Sequence, residues 1–309
     1  MNLHFGYIAA LIFILIVIIG FTFKLKGQSG KSQPDIVYEI FVQSFCDSNG
    51  DGIGDLNGLT SKLDYIQSLG SNCIWMMPIH PSPSYHKYDV TDYRAVHPDY
   101  GTMADLERLI SEAHKRNMKI ILDLVVNHTS NQHPWFVASA SGDPQYHDYY
   151  VWKDFGAVKD EIEKKTTTFD SDNVTQWHSD KAQEDRYYGF FSSRMPDLNF
   201  DNPKVREEMY AIGKFWLDKG IDGFRLDAAR HIYPDDQMDK TRQFWEEFTS
   251  KMRKIKPDAK IIGEVWSDPT TLTTLFKGLP SLFNFGITNA FAESVKQKDP
   301  MKLIEPYRN

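Results

Sequence analysis

The sequence predicts an α/β fold built from parallel strands. Short apolar runs of strand length recur at residues 36–42, 72–78 and 120–126. Between two of these runs, residues 103–116 place apolar side chains at helical spacing. Because strands that alternate with helices pair in parallel, this order of elements predicts the βα units of a parallel barrel.

Two of the predicted helices carry a start or stop signal. The first helix, residues 59–69, has leucine and isoleucine at helical spacing and ends at a glycine. A later helix begins at Asn202 and Pro203, a capping residue followed by proline in the first turn. Another helix is predicted around residues 244–252, and residues 282–286 are predicted as a sixth strand.

The composition supports a folded domain and argues against one class of partner. Hydrophobic residues make up 41% of the 309 residues and aromatic residues 14%, which is enough for a core. The net charge of −7 argues against a nucleic-acid partner, because phosphate binding needs a basic surface. Cys46 and Cys73 lie in or beside apolar runs and are interpreted as buried thiols, and no disulfide is inferred.

The N-terminal segment predicts a membrane anchor. Residues 5–23 form an uncharged apolar stretch that is long enough to span a bilayer. The stretch is longer than the usual apolar region of a cleaved signal, and no small-residue cleavage site follows it. A signal anchor over residues 1–26 is therefore the first interpretation and a cleaved signal peptide the second. Residues 27–33 form a short polar tether.

Two carboxylates end apolar runs in the second half of the chain. Asp227 ends Gly223-Phe224-Arg225-Leu226-Asp227, and strand alternation places it on the same face as Arg225. A guanidinium beside a carboxylate favours the ionised form that a nucleophile needs. Glu264 follows two isoleucines and a glycine and precedes Val265 and Trp266, an apolar setting that favours the protonated form of a general acid. Paired carboxylates with different settings are what a glycosidase requires.

The two segments resemble glycoside hydrolase family 13, the α-amylase family. By this resemblance Asp227 is the nucleophile, Glu264 is the acid/base and Arg225 orients the nucleophile. The family retains the anomeric configuration through a covalent glycosyl-enzyme. The resemblance also implies a (β/α)8 TIM barrel, of which this chain contains about six of the eight units.

Further positions match substrate-binding segments of the family. Tyr88 would stack on the sugar at the cleavage subsite, and Asp89 would hydrogen-bond the sugar hydroxyls. His128 would bind another hydroxyl, with Asp123 structural within the barrel. Arg230 and His231 match a pair that contacts sugar on the leaving-group side.

A loop after the first strand predicts a calcium site. Its oxygen donors alternate with glycines and small residues, which suits a hard cation. The resemblance implies these ligands: Asp47, Asn49, Asp51, the carbonyl of Ile53, and Asp55. A second calcium, held by Asn127, Asp197 and the carbonyl of His231, is left open.

The resemblance divides the chain after the tether into parts. Residues 34–128 and 196–309 are predicted to form the first and second parts of barrel domain A. Residues 129–195, too long for a plain loop, are predicted as an inserted domain B. The segment Met195-Pro196-Asp197-Leu198-Asn199 resembles a subgroup of α-amylases intermediate between oligo-1,6-glucosidases and neopullulanases.

One family segment is missing from this chain. No Asn-His-Asp follows Glu264, so the third catalytic Asp of the family and about two βα units are not found. The chain is therefore interpreted as C-terminally incomplete, either a fragment of an active enzyme or an inactive remnant.

The predicted function is hydrolysis of α-1,4-glucosidic bonds in starch-like glucans and maltooligosaccharides by an α-amylase with bound Ca²⁺. An oligo-1,6-glucosidase or α-glucosidase is the enzymatic alternative, and a non-catalytic amylase-like membrane protein is the other. We expect a monomer on the extracellular face of the cell membrane, or a secreted one. Lys24 and Lys26 follow the apolar stretch and favour a cytoplasmic position by the positive-inside rule. The expectation that a polymer-degrading domain acts outside the cell is given more weight than these two lysines.

Overall fold

The computed structural model describes residues 34–164, 175–180 and 184–304, and the elements below belong to the unit Val37–Asn309. The predicted anchor and the whole predicted tether therefore lie outside the described residues. No helix in these described ranges is long and apolar enough to cross a membrane.

Within the described residues, nine strands form two sheets. They are β1 (Val37–Ile40), β2 (Cys73–Met76), β3 (Lys119–Val125), β4 (Trp152–Lys153), β5 (Trp177–Ser179), β6 (Arg186–Tyr188), β7 (Gly223–Asp227), β8 (Lys260–Gly263) and β9 (Ser281–Leu282) among the described residues. Six of them form a parallel sheet in the order β1-β2-β3-β7-β8-β9. This half-barrel sheet agrees with the predicted fold class.

Helices connect these parallel strands. In the described ranges they are α1 (Leu56–Ser61), α2 (Leu63–Ser68), α3 (Met103–Lys115), α4 (Pro134–Ala140), α5 (Phe155–Lys164), α6 (Pro203–Asp218), α7 (Met238–Ile255), α8 (Pro269–Leu275) and α9 (Phe285–Gln297). The caps follow the predicted chemistry, since the Asn202 side chain accepts a hydrogen bond from the Lys204 backbone N–H at 3.0 Å.

Two predicted elements differ from the observed ones. The helix predicted at residues 59–69 is divided into α1 and α2, where the hydroxyls of Thr60 and Ser61 donate to backbone carbonyls of their own helix. Such bonds compete with the helical ladder. The strand predicted at residues 282–286 is reduced to β9, because the Asn284 side chain caps α9 by accepting from the Ile287 N–H at 3.0 Å.

The two faces of the parallel sheet have different roles. Ile74 and Met76 of β2 pack into the large core shared with the helices. Trp75, which alternates with them, faces the other side and joins a small cluster with Cys73 and Ile121. The inner face of the sheet is thus only partly apolar, and its polar side chains lie where the strands end.

Close approach of β7 and β8 depends on Gly223. Its φ is +152°, and a Cβ there would lie 2.0 Å from the Lys260 carbonyl oxygen. A side chain at this position would separate the two backbones. Glycine therefore permits the pairing that places the ends of β7 and β8 side by side.

The inserted residues form the second sheet. Strands β4, β6 and β5 pair antiparallel in that order. Phe136 of α4 stacks on Trp152 with ring centroids 5.9 Å apart, and it meets Tyr187 at 4.9 Å. The small sheet is thus held to α4 by aromatic packing.

Candidate active site

The candidate site lies at the carboxyl ends of three neighbouring strands. Asp123 lies on β3, Arg225 and Asp227 lie on β7, and Glu264 directly follows β8. The register pairs Asp123 with Arg225, and strand alternation turns Asp227 to the same side. Parallel strand ends are where this class of fold collects functional groups.

Arg225 is the centre of the cluster and is only 4% exposed. Its Nη1 donates to Asp227 Oδ1 at 2.6 Å and to both carboxylate oxygens of Asp123, at 2.9 and 3.1 Å. Its Nη2 lies 2.8 Å from Glu264 Oε1. One buried guanidinium therefore holds three carboxyl groups. The contact with Asp227 was predicted from the sequence, whereas the contacts with Asp123 and Glu264 were not.

The surplus of negative charge changes the proton affinities of the cluster. Burial raises the pKa of Asp123, and the opposing effect of Arg225 is smaller. Burial and the neighbouring Asp227 likewise raise the pKa of Glu264, and they outweigh Arg225, which lowers it. Burial lowers the pKa of Arg225, but the surrounding carboxylates outweigh it and keep the guanidinium charged.

Glu264 remains accessible while it is held at two points. Its side chain is 30% exposed and that of Asp227 is 11% exposed. The backbone N–H of Ala228 donates to Glu264 Oε2 at 3.2 Å, and Ala228 adopts a left-handed φ of 47°. This backbone conformation, unusual for alanine, links the residue after Asp227 directly to Glu264.

Tyr88 and Asp89 occupy the loop after β2, as predicted. The Tyr88 hydroxyl donates to Asp123 Oδ2 at 3.2 Å, which connects this loop to the cluster. Asp89 is 1% exposed and its Oδ1 accepts from the hydroxyls of Ser82 and Ser84. The two residues are placed by protein contacts, whereas their sugar contacts stay predictions.

His128 is a buried neutral imidazole. Burial lowers its pKa to about 4. Neither ring nitrogen makes a hydrogen bond of ordinary geometry to the residues that the structure describes. A neutral imidazole can donate from one nitrogen and accept at the other, which suits the predicted contact with a sugar hydroxyl.

Arg230 and His231 follow β7 but face other partners. Arg230 forms a two-point ion pair with Asp235, at 3.1 and 2.7 Å, and donates to the Trp266 carbonyl oxygen at 3.2 Å. The His231 ring stacks on Phe190 with centroids 4.2 Å apart. Their predicted contact with the leaving group remains untested by these contacts.

A cavity of about 900 Å³ lies between the inserted segment and the loop after β7. Its lining includes Lys153, Trp177, Phe190, Asp197, Arg230 and His231. Asp227 and Glu264 are not among its lining residues, so the cavity adjoins the candidate site without containing it.

The predicted calcium loop uses its side chains locally. Asp47 accepts from the backbone N–H groups of Asn49, Gly50 and Gly52, at 3.0, 2.7 and 2.8 Å. Asp55 caps α1, since it accepts from the Gly58 N–H at 2.7 Å. The oxygen donors are of the type that a hard cation prefers. Throughout the described part of the chain, however, no three His, Cys, Asp or Glu side chains form a group that could hold a metal ion.

The second calcium site, left open by the sequence, has a partial basis. Asn127 Nδ2 donates to Asp197 Oδ2 at 3.0 Å, and Asn127 Oδ1 is buried without a hydrogen-bond partner among the residues described. Burial raises the pKa of Asp197 well above its ordinary value. These two oxygens alone do not complete a coordination shell.

Trp75 was missed by sequence reasoning. Its indole N–H donates to Asp123 Oδ2 at 3.2 Å, and its ring lies 5.1 Å from the guanidinium carbon of Arg225. The only signal in the sequence was its place in an apolar strand, which is equally typical of a core residue.

Glu264→Gln is expected to stabilise the protein at neutral pH. The raised pKa of Glu264 means that its contribution to stability is fully present below the ordinary pKa of 4.5 and is lost as the pH rises through the raised pKa. Glutamine has no acidic proton, so the variant does not lose stability at this position as the pH rises. Urea unfolding between about pH 4 and pH 8 should show a free-energy gain for the variant at high pH that disappears toward pH 4. A gain that grows as the pH falls would contradict this account.

Comparison with known proteins agrees with the geometry. Residues 39–306 match the family model described as "Alpha amylase, catalytic domain". Alpha-amylase 3 from Dictyoglomus thermophilum is 49% identical over 306 residues, which are 99% of this chain and 58% of the relative. An oligo-1,6-glucosidase from Parageobacillus thermoglucosidasius is 46% identical over 199 residues, which are 64% of this chain and 35% of the relative.

Solved structures give the same result. The crystal structure of an alpha-amylase from H. orenii has 45% sequence identity and a TM-score of 0.79, and the match covers 86% of this chain and 55% of that chain. The chain thus spans little more than half of this structure and of the amylase relative. It belongs to the family of alpha-amylase catalytic domains.

Proposed function

We propose that the protein is a retaining glycoside hydrolase that cleaves α-1,4-glucosidic bonds in starch-like glucans and maltodextrins. The observation that carries this proposal is the pairing of Asp227 and Glu264 on one guanidinium, with Glu264 protonated more readily than an ordinary glutamate. A raised pKa suits a group that must donate a proton.

The reaction would proceed in two steps. Glu264 gives its proton to the glycosidic oxygen while an oxygen of Asp227 attacks the anomeric carbon, so the C–O bond to the leaving sugar breaks and an ester forms. Glu264, now a carboxylate, then takes a proton from water. The resulting hydroxide oxygen attacks the same carbon and releases Asp227. Arg225, held by Asp123, would keep both carboxyl groups in place during the two steps.

The bond that is cleaved is the finer part of the proposal. Alpha-amylase 3 supports α-1,4 cleavage, whereas several relatives bear the name oligo-1,6-glucosidase. Cleavage of short α-1,6-linked oligosaccharides is therefore the second candidate. A membrane protein without catalytic activity is disfavoured by the intact contacts among Arg225, Asp227 and Glu264.

Hydrolysis assays separate these candidates. Protein expressed from its complete natural gene should cleave maltoheptaose into maltooligosaccharides and leave isomaltose intact. Asp227→Asn should remove hydrolysis, and Glu264→Gln should reduce it by about 10²–10⁴-fold, the usual contribution of general acid catalysis. Asp218→Asn, which breaks an exposed Lys214–Asp218 pair of α6, is the matched control and should hydrolyse like the wild type.

Each result of these hydrolysis assays favours or excludes one of the candidate functions. Glucose alone as the first product, together with isomaltose cleavage, would favour the α-1,6 candidate. Unchanged hydrolysis in Asp227→Asn would remove the nucleophile assignment, and inactivity of the wild type on both substrates would favour the non-catalytic alternative.

We also propose that Ca²⁺ binds the loop 47–55. The support is its set of oxygen donors together with Gly50 and Gly52, whose φ values of 84° and 89° let the loop turn tightly. A ligand that binds only the native state at 100 times its Kd stabilises it by about 2.7 kcal/mol. Ca²⁺ should therefore raise the Tm, and EDTA should reverse the effect.

Variants locate the calcium effect. Asp51→Asn should weaken the stabilisation by Ca²⁺, whereas Asp99→Asn, an exposed aspartate outside the loop, should leave it unchanged. A Tm that does not respond to Ca²⁺ would contradict the site.

A further inference from the structure

Trp75 occupies the inner face of the sheet beside the charged cluster. It is 9% exposed, and its neighbours Ile74 and Met76 turn to the opposite face. Its ring packs against Phe283, with centroids 5.5 Å apart. A large aromatic side chain at this position would serve the core alone if it touched only apolar groups.

Trp75 instead touches both members of a buried ion pair. Its Nε1–H donates to Asp123 Oδ2 at 3.2 Å, and the guanidinium of Arg225 lies over its ring at 5.1 Å. A cation over an indole face is attracted by the ring. The indole thus contributes one contact to each charge.

Arg225 depends on such contacts for its orientation. Its Nε is buried and makes no hydrogen bond to any residue in the described ranges. The guanidinium is therefore fixed through Nη1, through Nη2 and by the aromatic rings of Trp75, Tyr88 and Phe283, which lie 5.1 to 6.0 Å away. Of these rings, Trp75 is the nearest and, like Tyr88, also donates to Asp123.

We propose that Trp75 is a positioning residue that holds Asp123 and Arg225 together and thereby fixes Arg225 between Asp227 and Glu264. This inference rests on the proposed function for its catalytic meaning. The placement of the cluster itself does not depend on that function.

The charged and titratable groups around the cluster come from every adjoining element. They are Glu39 on β1, Tyr88 in the loop after β2, Asp123 on β3, Arg225 and Asp227 on β7, and Glu264 after β8. Any change in the charge of one member is felt by the others, because they share a buried site.

Loss of the indole N–H should change the pKa of Glu264 in a predictable direction. Asp123 would lose a donor to its charged form, so its carboxyl would bind a proton more readily. One negative charge near Glu264 would then be neutralised more often, and this loss of a neighbouring negative charge lowers the pKa of Glu264.

The test is a titration of Glu264 by carbon-13 NMR, in protein labelled at the glutamate carboxyl carbons and with the signal assigned through Glu264→Gln. Trp75→Phe should lower the pKa of Glu264 by about half a unit, a threefold change in proton affinity. Trp216→Phe is the matched control. It also removes a buried indole N–H bond, to the Tyr93 carbonyl at 2.8 Å on the helix side, and should leave Glu264 unchanged.

A second variant tests the proposal if Trp75→Phe fails to fold. Benzothienylalanine at position 75 keeps the indole shape and replaces the N–H by sulfur, and it should give the same lower pKa. An unchanged Glu264 titration in the folded variant, or an equal change in Trp216→Phe, would overturn the proposal.

Enzyme kinetics provide a second test, because a purely structural role for Trp75 would not change the pH dependence of the rate. We expect kcat to fall with KM nearly unchanged, and the alkaline limb of the rate profile to move to lower pH, since the general acid would lose its proton earlier. If the wild type hydrolyses nothing, the proposed function fails, whereas the titration still decides the role of Trp75.

Discussion

The structure of the site depends on one buried guanidinium. Arg225 contacts Asp123, Asp227 and Glu264, which come from three neighbouring strands of the parallel sheet. Burial of that many carboxyl groups without a partner would cost far more than the pairs themselves contribute. Because β7 lies between β3 and β8, Arg225 is in the position from which all three can be reached. The charged cluster is thus centred on one of the two middle strands of the parallel sheet.

Backbone geometry supplies the conditions for this contact. Gly223 lets β7 approach β8, and the left-handed Ala228 directs its N–H to Glu264. Strand alternation separates an outer face that packs against helices from an inner face that carries the charges. The arrangement leaves Glu264 partly exposed and with a raised pKa, which combines access for a substrate with readiness to donate a proton.

Sequence reasoning found those features that follow from local pattern. The alternation of strands and helices, the shared face of Arg225 and Asp227, and the strand-end position of Glu264 can all be read from spacing. It missed Trp75, because a tryptophan in an apolar strand gives no sign of the charges across the sheet. The division of the first helix and the short β9 depend on side-chain bonds of Thr60 and Asn284, which periodicity does not register.

The central claim is that Asp227 is the nucleophile held by Arg225. It is tested most directly by incubating the protein with an activated fluorinated α-glucosyl substrate, which slows release of the glycosyl-enzyme, and by mass spectrometry of the labelled peptide. We expect a covalent glycosyl group on the peptide that contains Asp227, and no such group in Asp227→Asn. A label on another carboxylate, or rapid hydrolysis of natural substrate with no covalent adduct, would contradict it.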